Sequence, residues 1–189
     1  MAKTIVTGDQ YMSIDGKLEE IKRQLRQKNG YPFDVNALEA VLQRATEGDF
    51  GHIVNLDANP LTPNGWSINP KDQIKSVVRS PLNLSKVQIG LHLSEEQKGG
   101  AVLGHDLKKA LEGKPVMSAV LLDYYLAHPE LIPESWKGKA VFFWGTIYRG
   151  SYGDLYVRCL FWNGGGWYWF YYWLVDGFGG QDPSAVLAS

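Results

Sequence analysis

Cysteine is nearly absent: Cys159 is the only one in 189 residues. A single thiol excludes an internal disulfide and a thiolate zinc cluster. An excess of charge of either sign is lacking too. The formal net charge is −1 at pH 7, which supplies no long-range field for nucleic acid or an anionic membrane. Long apolar runs are missing: the longest, Trp167 to Val175, has nine residues, whereas a helix needs about 20 to cross a bilayer. The start, Met1-Ala2-Lys3-Thr4-Ile5-Val6, has no apolar stretch followed by small cleavage-site residues, so no secretory signal is read. His52, His92, His105 and His128 are far apart in sequence and show no close pair of zinc spacing. The expectation is a cytoplasmic protein with no membrane span, no bound metal and no cofactor.

What the chain does have is aromatic side chains. They make up 13% of it and include seven Trp, while hydrophobic content is 44% and charged content 21%. The last two values are those of a globular protein, and the length suits one core or one domain with a small appendage. Seventeen of the 24 aromatic residues fall between Trp136 and Phe178.

Residues 1–12 read as a loose or strand-like lead. Ile14, Leu18, Ile21 and Leu25 then recur at helical spacing, with Ser13 or Asp15 as cap and Asn29-Gly30 as stop. After a Tyr31-Pro32-Phe33 turn, Asp34 caps a second helix carrying Val35, Leu38, Val41, Leu42 and Ala45, ending at Gly48. Residues 1–50 are therefore expected to form an αα-hairpin. Its first helix carries Lys17, Lys22, Arg23, Arg26 and Lys28, but residues 1–48 hold seven basic and seven acidic side chains. That balance reads as a solvated face, since phosphate binding needs an excess of cations.

Pro60, Pro63, Asn64-Gly65 and Pro70 mark 51–70 as a loop or linker with at most a short strand at 52–54. A body follows over 71–189. Asn69-Pro70 is expected to open a short helix through Val77 or Val78. Val87, Ile89, Leu91 and Leu93 alternate as a strand at about 86–93. After Gly99-Gly100 a helix of about a dozen residues is expected, and a second, apolar around most of its circumference, over 118–127.

Three strands close the chain, at about 139–148, 155–162 and 167–175. The turns between them, 149–154 and 163–166, are rich in Gly, Asn and Asp, as hairpin loops require. The fold class is α+β with a C-terminal antiparallel β-meander. In the second strand Tyr156, Arg158, Leu160 and Trp162 point away from Leu155, Val157, Cys159 and Phe161. Neither face is polar: across 140–175 only Arg149, Asp154 and Arg158 are charged. Either both faces are covered, by the helices of 100–127 on one side and the N-terminal hairpin or a second subunit on the other, or one face is a binding platform. Arg158 needs a partner if buried, and Asp154, Asp176 or Asp123 could serve. Cys159, alternating away from Arg158, reads as a buried inert thiol.

The run Phe142-Phe143-Trp144-Gly145-Thr146-Ile147-Tyr148-Arg149, then Leu155-Tyr156-Val157-Arg158-Cys159-Leu160 and a Trp-rich close, resembles a family of uncharacterised bacterial hypothetical proteins. Leu131-Ile132-Pro133-Glu134 and Trp136-Lys137-Gly138-Lys139 fit it too. The resemblance covers roughly 100–189 and implies a bacterial, cytoplasmic origin without any activity, cofactor or catalytic residues.

The function expected is a non-enzymatic binding or protein-interaction module. Its contact surface is the sheet face bearing Tyr156, Arg158 and Trp162, with Trp144 and Tyr172 as neighbours, and the partner is a second copy or another protein. Two alternatives remain. One is a small hydrolase-like enzyme with a site near His105, Asp106 and Asp154. The other is a nucleic-acid-associated factor using the basic helix 17–28.

Overall fold

The computed structural model describes residues 7–28, 34–46 and 51–188. The chain divides into two compact units, Met1–Phe50 and Gly51–Ser189.

The first unit holds α1 (Gly8–Leu25) and α2 (Val35–Thr46). α1 starts about two turns before the Ser13 or Asp15 cap, so residues 8–12 of the expected loose or strand-like lead are helix. Thr7 is the cap, in a capping box with Gln10, whose backbone N–H reaches the Thr7 hydroxyl while its side chain returns to the Thr7 N–H. Asp34 accepts from Asn36 N–H at the start of α2. The Asn29-Gly30 stop, the turn at 31–33, the Gly48 end and the first six residues of the lead lie outside the described residues.

The second unit contains β1 (Ile53–Val54), β2 (Leu82–Asn83), β3 (Ile89–His92), α3 (Glu95–Gly99), β4 (Val102–Leu103) and α4 (Gly104–Ala110). It continues with α5 (Ala119–Ala127), β5 (Ala140–Arg149), β6 (Leu155–Trp162), β7 (Trp167–Trp173), β8 (Gly177–Phe178) and β9 (Ser184–Leu187). The α+β class and the three-strand meander are as expected. The helix expected over 69–78 is only one 3-10 turn, Pro70–Asp72, capped by Asn69. The helix expected after Gly99-Gly100 is shorter too, because Val102 and Leu103 pair with Phe178 and Gly177 as strand before α4 begins.

The principal sheet has the order β3-β9-β5-β6-β7. β9 enters it next to β5 in the parallel sense, touching at Phe142 and Ser184, and pairs antiparallel with β3. Along the rest of β5 the segment 115–118 substitutes for a strand. Met117 N–H donates to Ala185 O at 2.9 Å, and Gly145 N–H donates to Met117 O at 2.9 Å. There β5 is irregular, its register with β6 shifting between Phe142 and Ile147. Thr146 uses this irregularity to accept from the Ala119 N–H at 3.0 Å. It satisfies the first turn of α5, where Ser118 makes no side-chain cap.

Each sheet face has its own core. On one, Val141, Phe143 and Leu160 pack under Leu121, Leu122 and Tyr125 of α5. On the other, Phe142, Trp144, Ile147, Val157 and Cys159 pack against Leu107 of α4, Leu111 just past its end, and Phe178. The two helices of 100–127 therefore go to opposite faces instead of sharing one. This explains why neither face needed polar residues.

Residues 51–70 belong to this body. Leu61 N–H donates to Asp123 Oδ2 at 2.7 Å, and its carbonyl accepts from the Tyr148 hydroxyl at 3.1 Å. Ser67 and Arg149 exchange backbone hydrogen bonds at 2.8 Å.

Candidate functional site

The meander register decides which candidate side chains meet. Tyr156 faces Trp173, Arg158 faces Tyr171 and Trp162 faces Trp167, while Val157 faces Tyr172 and Cys159 faces Phe170. Tyr156, Arg158 and Trp162 therefore share one face, but it is the face that α5 packs on and not an open contact surface. Tyr172 and Trp144 do not join them: both belong to the opposite, Cys159 side. Trp144 is also fully buried.

Arg158 is enclosed completely. Its Nη2 donates to Asp123 Oδ1 at 2.8 Å, and Nη1 donates to the Leu61 carbonyl and the Tyr148 hydroxyl, each at 3.2 Å. The guanidinium carbon lies over the Trp169 ring, 4.3 Å from its centre, within cation–π range. Its Nε finds no partner among the described residues. Of the three carboxylates considered from sequence, Asp123 is the one that reaches it. Burial raises the Tyr148 phenol above its ordinary value, against the opposing pull of the Arg158 hydrogen bond. This group of residues anchors a loop and is closed to ligands.

Tyr156 is half-buried. Trp66 stacks on it at 4.3 Å and 22°, and meets Tyr171 edge-on at 4.9 Å. Sequence reading missed Trp66, the one tryptophan upstream of residue 136, because nothing local ties it to the meander. At the other end Trp162 meets Trp167 edge-on at 5.5 Å, and the Lys137 ammonium sits 4.0 Å over the Trp162 ring.

The open aromatic surface lies on and around β7. Tyr168 and Phe170, on the Cys159 side, are 51% and 50% exposed, and Trp173 is 46% exposed. Beside them a groove of about 360 Å³ is lined by Lys139, Ala140, Cys159, Phe161, Phe170 and Tyr172 among others. Its floor is chemically quiet: burial pushes the Cys159 thiol up to about 12, so thiolate is scarce.

The hydrolase-like set comes together only in part. His105 and Asp154 line a pocket of about 240 Å³ with Arg149, Trp173 and Val175. Asp106 is not among its walls and pairs with Lys109 at 3.1 Å. No hydrogen bond among the described residues joins His105 to Asp154, and Arg149 is already held by Asp72 at 2.6 and 2.9 Å. On α1, Lys22 and Arg23 are paired with Glu19 and Glu20, each at 2.7 Å.

Two histidines that are distant in sequence are neighbours in space. The His52 and His128 rings are 5.8 Å apart, and His52 Nδ1 lies 3.1 Å from the Tyr124 hydroxyl. No group of three or more metal-ligating side chains occurs among the described residues. No helix among them is long and apolar enough to cross a membrane.

Comparison with protein-family models, with curated proteins and with solved structures gives no match.

Proposed function

We propose that the chain is a non-enzymatic protein-interaction module, and that its contact surface is the outer aromatic surface of the meander. The carrying observation is the half-exposure of Tyr168 and Phe170 on the last strand of the sheet, beside the aromatic groove. Leaving such rings in water forfeits about 25 cal/mol for every Å² of apolar surface they could bury. Contiguous apolar surface of this kind marks interaction sites more often than it marks monomer surface. The bacterial, cytoplasmic setting belongs to the same proposal and rests on the sequence resemblance and the solitary thiol. Of the residues first singled out, Tyr172 stays in the contact set and Trp162 borders it. Arg158 and Trp144 are fully buried and Tyr156 is half-buried beneath Trp66, so these three leave the contact set.

A photo-crosslinking phenylalanine analogue placed at position 170 in cells tests this. Adducts should form there and be missing when the same analogue replaces Tyr152, which is 97% exposed in the 149–154 turn. Equal yields at both positions, or none at 170, overturn the reading.

The hydrolase-like alternative has one observation in its favour, the shared pocket of His105 and Asp154. It requires hydrolysis of an ester or phosphoester substrate that His105→Ala and Asp154→Asn each abolish without unfolding the protein.

A further inference from the structure

We propose that the outer edge of β7 is a strand-pairing edge, and that its occupant is β7 of a second copy of this chain. The inference rests on the interaction-module reading and names the partner.

In an antiparallel pair the hydrogen-bonded positions alternate. Leu174 N–H donates to Leu155 O at 2.9 Å, and Asn163 N–H donates to Gly166 O at 3.0 Å. With the observed register these bonds set the phase, so Tyr168, Phe170 and Tyr172 turn their backbone groups toward β6. The N–H and C=O of Trp167, Trp169 and Tyr171 consequently point out of the sheet. Trp173 is closed off, because its N–H donates to Asp176 Oδ2 at 3.1 Å and its carbonyl accepts from Asp176 N–H at 3.1 Å. Among the described residues no strand lies beyond β7.

Monomeric proteins blunt such edges with Lys, Pro, a bulge or a very short strand. β7 has seven residues, no charge, no proline and an unbroken register with β6. The opposite edge strand, β3, has only four residues. No charge or proline in β7 blocks pairing, and the Phe170 and Tyr171 rings, which stack at 5.0 Å and 12° from opposite faces of the strand, must part to admit a partner.

The choice of a second copy follows from the strand's symmetry. Trp167-Tyr168-Trp169-Phe170-Tyr171-Tyr172-Trp173 is aromatic at every position on both sides of Phe170. A two-fold axis through Phe170 sets Trp169 of one copy opposite Tyr171 of the other. Both have outward backbone groups, so each such pair can exchange both of its hydrogen bonds. The same axis sets Phe170 against Phe170 and Tyr168 against Tyr172 as non-hydrogen-bonded pairs, where side chains approach most closely. The exposed rings on this side thereby cover one another. Since the strand is uncharged, no like charges are brought face to face. The two residues with outward backbone groups that flank Phe170 thus pair with each other under one two-fold axis, the reciprocal contact of an isologous dimer.

Sedimentation velocity of the full chain over a range of concentrations tests the proposal. The wild type should sediment as a dimer that dissociates on dilution. Phe170→Lys and Phe170→Glu should each be monomeric, because each places like charges across the axis. An equimolar mixture of the two should return to dimer, because the charges then complement. Amide exchange in the unmodified protein provides a second measurement that needs no variant. The Trp169 and Tyr171 amides should slow by about tenfold or more at dimer-forming concentration and become fast on dilution. A wild type that is monomeric throughout, with both amides fast, overturns the proposal, as does a dimer in which they stay fast. Crosslinks from position 170 to a different protein, with the chain monomeric, would leave the interaction-module reading standing and remove this one. No crosslinks and no dimer would remove both.

Discussion

Arg158 Nη2 donates to Asp123 Oδ1 at 2.8 Å, tying the middle strand of the meander to the helix that covers it. Asp123 also holds the Leu61 N–H through its other oxygen. One carboxylate thus joins helix, strand and loop. A charge as enclosed as Arg158 must be paired, and removing the partner leaves it stranded. Asp123→Ala should therefore destabilise the protein by about 3 kcal/mol, the lower end of the usual range because Asp123 keeps some contact with water. The double variant Asp123→Leu/Arg158→Met, with no charge left to strand, should recover about 1 kcal/mol or more of that loss. Urea denaturation of the single and double variants decides it. A double variant less stable than Asp123→Ala would show that the pair contributes more than its own desolvation costs.

Gly145 supports a second prediction at the β5 irregularity. A Cβ there would lie 2.9 Å from backbone atoms of Met117 and Ser118. Those atoms sit between the sheet and the start of α5 and cannot swing aside as a side-chain tip would. Gly145→Ala should cost about 1–3 kcal/mol through overpacking and weaken the Thr146 cap on α5. Gly165→Ala, with open space around the added methyl, should stay within about 0.5 kcal/mol of wild type. Equal unfolding midpoints for the two variants would contradict this account.

The elements legible in the sequence were those specified by near neighbours. The three meander strands are marked by their own aromatic runs and glycine turns, and each was placed to within about two residues. The second helix and α5 were legible for the same reason. Partnership over long distances was not. β9 is four residues without a period, and its place beside β5 is set by Ser184 meeting Phe142. The 51–70 segment has the composition of a linker, yet its Leu61 peptide is held by Asp123, Tyr148 and Arg158. Alternation sorted the faces within β6 and within β7, but the register between strands decided that Tyr172 lies across from Val157. A single residue of slip would have put it on the other side.

Cys159 lies at the floor of the aromatic groove, and burial pushes its thiol from 9.0 up to about 12. Almost none of the thiol is then ionised near neutral pH. Arg158, the adjacent residue, points to the other face, and the pull of its charge on the thiol is outweighed by burial. In the folded protein a thiol reagent at pH 8 should label Cys159 slower, by about a hundredfold or more, than it labels the urea-unfolded chain. The rate should rise with urea in parallel with unfolding. Labelling at the unfolded-chain rate without denaturant would mean that the groove opens to its floor.

His92 on β3 supplies a pH dependence of definite sign. Burial, and then the charges of Lys114 and Lys98, push its pKa below the ordinary 6.5, with Glu95 opposing. The folded protein therefore binds this proton less readily than the unfolded chain does. Between the lowered value and the ordinary one the unfolded state carries more protons, so stability is intact above the window and falls as pH falls through it. Asp182 acts in the opposite sense, since burial raises its carboxyl and so favours the folded state as the pH drops toward the carboxylate range. Subtracting a His92→Gln variant removes the Asp182 contribution, which both proteins share. The wild-type minus variant difference in unfolding free energy should be flat above neutrality and decline below about pH 6.5. A difference that stays flat on acidification, or rises, would mean that His92 is protonated as easily in the folded protein as in the unfolded chain.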